Sequence, residues 1–341
     1  MSSTQHPSSP PPGPPEFTTA RRLLVVHPQP LRRKQLAQIL RSVCPPVEVW
    51  PTLEHRESLH GYALVLVDYD ALEAAERAVL LRLHGDANFS GRLLVVSAGA
   101  CRQDFVRLFS GRVLTNLISS HEPFLGEELV VTVRKLLRGD IFGLEKYFPM
   151  GTHLQVMRVR QSSDKAAAID GAREFAQQLG VHPRLAIQFS SVMDEFISNA
   201  VYNAPVGADG VPRFAHYPRE RGVSLEPGED IVVRMASDGR RLGLSTQDPF
   251  GSLRECKILE SLARCYRGGE DQIENKEGGA GLGFFHILEQ LSHFAVNLEP
   301  GAKTEMIGLL DVRGSFRDFA SSGKSFNLFT HTEASGSPLG A

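Results

Sequence analysis

Residues 194–204 read Asp194-Glu-Phe-Ile-Ser-Asn-Ala-Val-Tyr-Asn-Ala204. Apolar residues recur through and before this stretch at helical spacing: Leu185, Phe189, Val192, Phe196 and Ala200. That predicts a helix with one buried stripe. Glu195, Asn199 and Asn203 are four apart and line up on a single face. The face lies one residue, or roughly 100° of rotation, from the buried row. A carboxylate and two amides at the margin of a core offer the hard oxygens that Mg²⁺ prefers. Glu195 is also a candidate general base. Taken alone, the stretch is better read as a helix with a polar margin.

Two later stretches bear on it. Gly243-Leu-Ser-Thr-Gln-Asp-Pro-Phe-Gly251 follows a strand-like run, Ile231-Val-Val-Arg-Met235, and a turn at Asp238-Gly239. Leu242 and Leu244 continue the alternation, so Asp248 falls at the end of a second strand. There its carboxylate could accept a hydrogen bond from an amino group such as that of adenine; an ordinary Asp-Pro turn is the other reading. Further on, Glu277-Gly-Gly-Ala-Gly-Leu-Gly283 precedes Phe284, Ile287, Leu288 and Leu291, again at helical spacing. A glycine turn feeding a helix N-terminus presents unpaired N–H groups to an anion, most often phosphate.

In this order the three stretches resemble the N, G1 and G2 boxes of the ATP-binding domain shared by gyrase, the heat-shock chaperone of ninety kilodaltons, histidine kinases and MutL. The resemblance covers about residues 150 to 312. It implies an α/β sandwich with a mixed sheet that binds ATP and Mg²⁺. Asn199 would hold Mg²⁺ and Glu195 would be the base or water-orienting acid. Asn203 and Gly251 would border the nucleotide, and Asp248 would pair with the adenine amino group. Gly279, Gly281 and Gly283 would wrap the phosphates. Thr304, in Gly301-Ala-Lys-Thr-Glu-Met-Ile, would open the last core strand and touch the nucleotide. One departure stands out: Phe250 replaces the first glycine expected after the G1 aspartate. Residues 252–278 would form the lid, helical from Leu253 to Tyr266 and polar thereafter, with Arg267 and Lys276 as candidates for the triphosphate.

The N-terminal half alternates between strands and helices. Leu23–Val26, Val47–Trp50, Tyr62–Asp68, Arg92–Ser97 and Val113–Ile118 read as strands; Leu31–Ser42, Ala71–Leu83 and Gly126–Leu137 read as helices. This predicts a doubly wound parallel sheet of five strands. Residues 21 to 138 resemble the receiver domain of response regulators, with Asp68 in the place of the phosphoacceptor and Ser97 in that of the hydroxyl residue after it. The acidic pair that would hold Mg²⁺ is replaced by His27 and Pro28, and the expected lysine by Ser119 or Ser120. These departures point to a degenerate receiver kept for docking or dimerisation.

Composition frames both halves. A chain of 341 residues with 42% hydrophobic residues supports two ordinary cores. The expected division is a Pro/Ser-rich disordered tail (1–20), a receiver-like domain (21–138), a linker (139–150), the ATP-binding domain (151–331) and a disordered end (332–341). A net charge of −2 argues against a nucleic-acid partner. No apolar run approaches a membrane span, and the N-terminus has no signal-peptide pattern. Cys44, Cys101, Cys256 and Cys265 form no CxxC pair, so a cytoplasmic protein with reduced thiols is expected.

None of the 12 histidines has the setting of a histidine-kinase substrate, and 138–151 is too short for a two-helix hairpin. A helix from Ser163 to Leu179 ahead of the N-box helix resembles the arrangement in anti-sigma-factor serine kinases. The expected function is therefore regulatory Ser/Thr phosphorylation of a protein partner in a signalling pathway. An ATP-gated binding switch and an orphan histidine-kinase half are the alternatives. The aromatic-rich stretch 311–331 is expected to pack back onto the domain or to bind a partner.

Overall fold

The computed structural model describes residues 22–83, 89, 91–98, 102–120, 126–218, 221–267 and 282–331. In the N-terminal half, β1 (Arg22–Val26), β2 (Val47–Trp50), β3 (Tyr62–Asp68), β4 (Arg92–Ser97) and β5 (Asn116–Ser119) pair in parallel in the order β2-β1-β3-β4-β5. This is a doubly wound order, whose switch point lies between β1 and β3. Strand β3 shows why the pattern reads so strongly. Leu64 and Leu66 enter the core on one face and Val65 and Val67 the core on the other, so no interior position is left polar. The associated helices are α1 (Pro30–Arg41), α2 (Ala74–Leu81), α3 (Arg102–Ser110) and α4 (Gly126–Arg138). Helix α3 was not evident in the sequence.

The C-terminal half comprises β6 (Leu154–Val159), α5 (Asp164–Gln178), α6 (Pro183–Ser198), β7 (Ile231–Ser237), β8 (Arg241–Asp248), α7 (Glu255–Arg267), α8 (Leu282–Gln290), β9 (His293–Glu299), β10 (Lys303–Asp311), α9 (Phe316–Ser321) and β11 (Ser325–Thr330). Its strands run β11-β9-β10-β8-β7-β6, antiparallel except for the parallel pair β9 and β11.

The two halves share one sheet. Strand β11 pairs with β9 on one side and antiparallel to β5 on the other, through Phe326 with Leu117 and Asn327 with Asn116. This corrects one expectation and meets another, that the stretch 311–331 packs back onto the domain. Strand β10, which Thr304 opens, is not the last core strand. The aromatic stretch 311–331 supplies the seam strand, with Phe326, Leu328 and Phe329 buried. The expected linker is packed as well: Ile141, Leu144, Tyr147 and Phe148 are buried against the second face of the sheet.

One face of the sheet carries α2, α3, α5, α6, α7 and α8, and the other carries α1 and α4. On the first face, Phe105 and Phe109 of α3 and Ile258 and Leu262 of α7 share one core, so the helices of the two halves pack together. On the second face α4 buries polar groups over β9, β10 and β11. Lys135 Nζ donates to Asn297 Oδ1 at 2.8 Å and to Tyr147 Oη at 2.9 Å. Asn297 Nδ2 donates to Glu305 Oε2 at 2.9 Å, and Thr132 Oγ1 donates to Asn327 Oδ1 at 3.2 Å. Burial drives the Lys135 ammonium down to about 7. No helix among the described residues is long and apolar enough to cross a membrane.

Candidate functional site

Helix α6 opens with Pro183 in its first turn, and the His182 ring accepts from the Arg184 N–H at 3.2 Å. It buries Leu185, Phe189, Val192 and Phe196, as its spacing requires. Beyond Ser198 the helix widens into a π-helical turn over Asn199–Asn203. There the Ala204 N–H reaches the Asn199 carbonyl, five residues back, at 2.9 Å. Such turns are rare and concentrate at functional sites. Here the turn brings Asn203 Nδ2 to 2.8 Å from Asn199 Oδ1. Asn199 Nδ2 is buried without a hydrogen-bond partner.

Glu195, one helical turn before Asn199, is half-buried. The start of α8 lies against it, since a Cβ at Gly283 would sit 3.2 Å from Glu195 Oε2. The first glycine-rich residues, Gly279 and Gly281, lie outside the described residues, as do Lys276 and the side chain of Arg267.

Asp248 ends β8, 4% exposed, directly opposite Thr304 of β10. Its carboxylate accepts from the backbone N–H of Phe250 at 3.0 Å and also from those of Gly251 and Thr304. Burial nonetheless pushes it up to about 7. Gly251 takes φ +56, and a Cβ there would lie 2.3 Å from the Glu299 carbonyl oxygen. Only glycine fits so close to the β9–β10 turn. Phe250, which departs from the expected glycine, is buried beneath the guanidinium of Arg213, 5.7 Å from the ring centroid. Ser252 Oγ donates to the Ala204 carbonyl at 2.7 Å, tying this loop to the end of the π turn.

The folded chain thus joins the Glu195 helix to the start of α8, and the Asp248 loop both to β10 and to the π turn. A cavity of about 700 Å³ borders the far side of the Asp248 loop, lined by Asn203, Phe250, Gly251, Ser252, Arg254 and Gly301 among others but not by Glu195, Asn199, Asp248 or Thr304. Glu195 and the Asn199 amide supply hard oxygens suited to Mg²⁺. Asn199 Nδ2 and Thr304 Oγ1 are buried polar atoms with no partner among the described residues. On this donor set the residues present fit a magnesium–nucleotide pair. The π turn had no counterpart in the sequence reading; helical periodicity runs through it unbroken.

At the β1/β3 switch point Asp68 faces His27, with Nε2 3.2 Å from Oδ2. His27 Nδ1 accepts from the Gln29 N–H at 3.0 Å. Burial raises the Asp68 carboxyl and lowers the His27 imidazole. Ser97 Oγ donates to Asp70 Oδ1 at 2.9 Å. Asp70 was not singled out in the sequence, although an acid two residues past a strand end at a switch point is a detectable signal.

No protein-family model matches the chain, and no curated protein matches it. Among solved structures, the chain is similar to the signal receiver domain of an HD domain-containing protein from Pseudomonas fluorescens Pf-5, at 16% identity and TM-score 0.31, over 36% of this chain and 97% of that one. A putative pilus assembly-related protein from Burkholderia pseudomallei K96243 gives 18% identity and TM-score 0.29 over 36% and 94%. A response regulator of Thermotoga maritima gives 14% and 0.31 over 53% and 89%. At TM-scores below 0.5, the fold of the N-terminal half rests on its own strand order.

Proposed function

We propose that this chain is a signalling protein whose C-terminal half binds Mg-ATP and phosphorylates a Ser or Thr hydroxyl of a partner protein, with the N-terminal half serving as a regulatory docking unit. The observation that carries this reading is the Glu195 carboxylate. It has no hydrogen-bond or ion-pair partner among the described residues, it lies against the start of α8, and it shares a helix face with Asn199, whose Oδ1 accepts from Asn203 and whose Nδ2 is unpartnered.

A half-buried carboxylate that no side chain among the described residues engages, set against the start of a helix, is available to a ligand or to a reacting hydroxyl. In the proposed role Glu195 orients the attacking hydroxyl and takes its proton. Asn199 holds Mg²⁺, which when bound offsets charge on the phosphates. Asp248 fastens the Phe250–Gly251 loop to β10 and presents its carboxylate at the base end. The N-terminal half, with His27 across from Asp68, supports docking rather than phosphoryl acceptance.

A second reading is favoured by Phe250 and Gly251. Gly251 packs closely on the β9–β10 turn and Phe250 is buried beneath Arg213, a closed loop that suits a nucleotide-gated binding switch without transfer. Isothermal titration of ATP with and without Mg²⁺, on wild type and Asn199→Ala, tests the nucleotide claim; Mg²⁺-independent or absent binding overturns it. Glu195→Ala then separates the two readings: transfer of labelled γ-phosphate to proteins of a cell extract, in acid-stable form, is lost if Glu195 is the base. Acid-labile label would instead indicate histidine.

A further inference from the structure

Strand β8 carries a second polar residue on the face that bears Asp248. Thr246 is two residues earlier, so its side chain stands on the same side of the sheet. On that side Leu242 and Leu244 enter the helix-covered core, whereas Ser245 faces the other way. Thr246 is 2% exposed, between Val233 of β7 and Met306 of β10 in register. Its hydroxyl has no hydrogen-bond partner among the described residues. Thr304, opposite Asp248, is 1% exposed and equally unpartnered.

An unsatisfied buried hydroxyl costs stability, and valine has the same shape and an equal preference for strands. Two such hydroxyls flanking a buried carboxylate, in an otherwise apolar wall, are the arrangement of a ligand subsite: apolar sides with a few convergent polar atoms.

We propose that Thr246 is a base-reading residue, donating its hydroxyl hydrogen to a ring nitrogen of adenine beside the amino group that Asp248 accepts. This deepens the nucleotide-binding reading and rests on it. Adenine offers a donor and an acceptor side by side, an amino group next to an unprotonated ring nitrogen. A carboxylate and a hydroxyl donor complement that pair. Guanine reverses the pair, with a carbonyl oxygen in place of the amino group and a ring N–H in place of the unprotonated nitrogen, so both contacts would have to be remade.

The test compares Mg-ATP and Mg-GTP binding by titration calorimetry for wild type, Thr246→Val and Thr246→Ser, together with the thermal midpoint of each ligand-free protein. Thr246→Val should bind Mg-ATP roughly five- to tenfold more weakly, the value of one hydrogen bond, while its ligand-free midpoint is unchanged or higher. Thr246→Ser, which keeps the hydroxyl, should bind close to wild type. Wild type should prefer ATP to GTP. Equal ATP affinity in wild type and Thr246→Val overturns the inference while leaving nucleotide binding intact. So does a lowered ligand-free midpoint in Thr246→Val, which would give the hydroxyl an internal structural role. If Thr246→Ser is as weak as Thr246→Val, the effect is packing, and the inference again falls. Wild type that binds no nucleotide overturns both this inference and the function it rests on.

Discussion

The ring of Phe326 in β11 lies 6.0 Å from that of Phe109 in α3, edge to face. Phe109 belongs to the N-terminal half; on the other side Phe294 of β9 is 5.9 Å from Phe326. One fully buried side chain therefore sits in the aromatic contacts of both halves, on the strand that fuses their sheets.

Phe326→Ala is expected to cost roughly 3–5 kcal/mol, as for other large-to-small aromatic changes in cores. The shared strand also predicts one cooperative unfolding step. Trp50, the only tryptophan of the chain, reports on β2 at the far edge of the sheet. Its fluorescence and the far-ultraviolet circular dichroism should give coincident urea transitions in wild type. Two separated transitions would show that the halves unfold independently.

Glu128 of α4 faces His293, with Oε1 3.3 Å from Nδ1. His293 Nε2 lies 2.7 Å from Asn327 Oδ1, an acceptor, so Nε2 donates. Nδ1 then carries no proton, and the pair is a neutral imidazole facing a carboxyl. Burial points the same way, raising Glu128 to about 7 and lowering His293 to about 3. A folded-state value above the ordinary 4.5 means that the native protein holds a proton the unfolded chain has released. Stability from this group is full below pH 4.5 and is lost as pH rises towards about 7. Glu128→Gln mimics the neutral acid. It should match wild type near pH 4.5 and exceed it by roughly 3 kcal/mol above pH 7. Denaturation at several pH values checks this; a pH-independent difference would place an ionised Glu128 in the native state.

Gly251→Ala should destabilise the protein by roughly 3 kcal/mol, from a left-handed backbone and a Cβ driven into the β9–β10 turn. Gly301→Ala provides a comparison. It also has positive φ, but nothing lies within 4 Å of its Cβ position, so its cost should be smaller. Chemical denaturation of both variants measures the difference.

Asp68 should not take up phosphate from acetyl phosphate in the presence of Mg²⁺. Its near neighbour is the His27 imidazole at 3.2 Å, not a pair of carboxylates able to hold the metal. Intact-protein mass measurement after incubation checks this, and a phosphorylated species lost on Asp68→Asn would restore the receiver chemistry.

Local features of this chain were legible in its residues. Strand β3, apolar at every interior position, and α6, with its stripe from Leu185 to Phe196, follow from side-chain period alone, because burial of a strand or helix face repeats every two or 3.6 residues. The common face of Glu195, Asn199 and Asn203 follows in the same way. Helix α3 escaped because its apolar positions fall close to turn residues that dominate the local reading. What β11 pairs with depended on two other strands, β5 and β9, that lie far from it in the chain, and no local period encodes a partner. The polar contacts of Lys135, Asn297 and Glu305, and the unpartnered hydroxyl of Thr246, are equally non-local. Whether a buried polar atom finds a partner is decided by which segments close around it, and that is fixed only once the sheet has assembled.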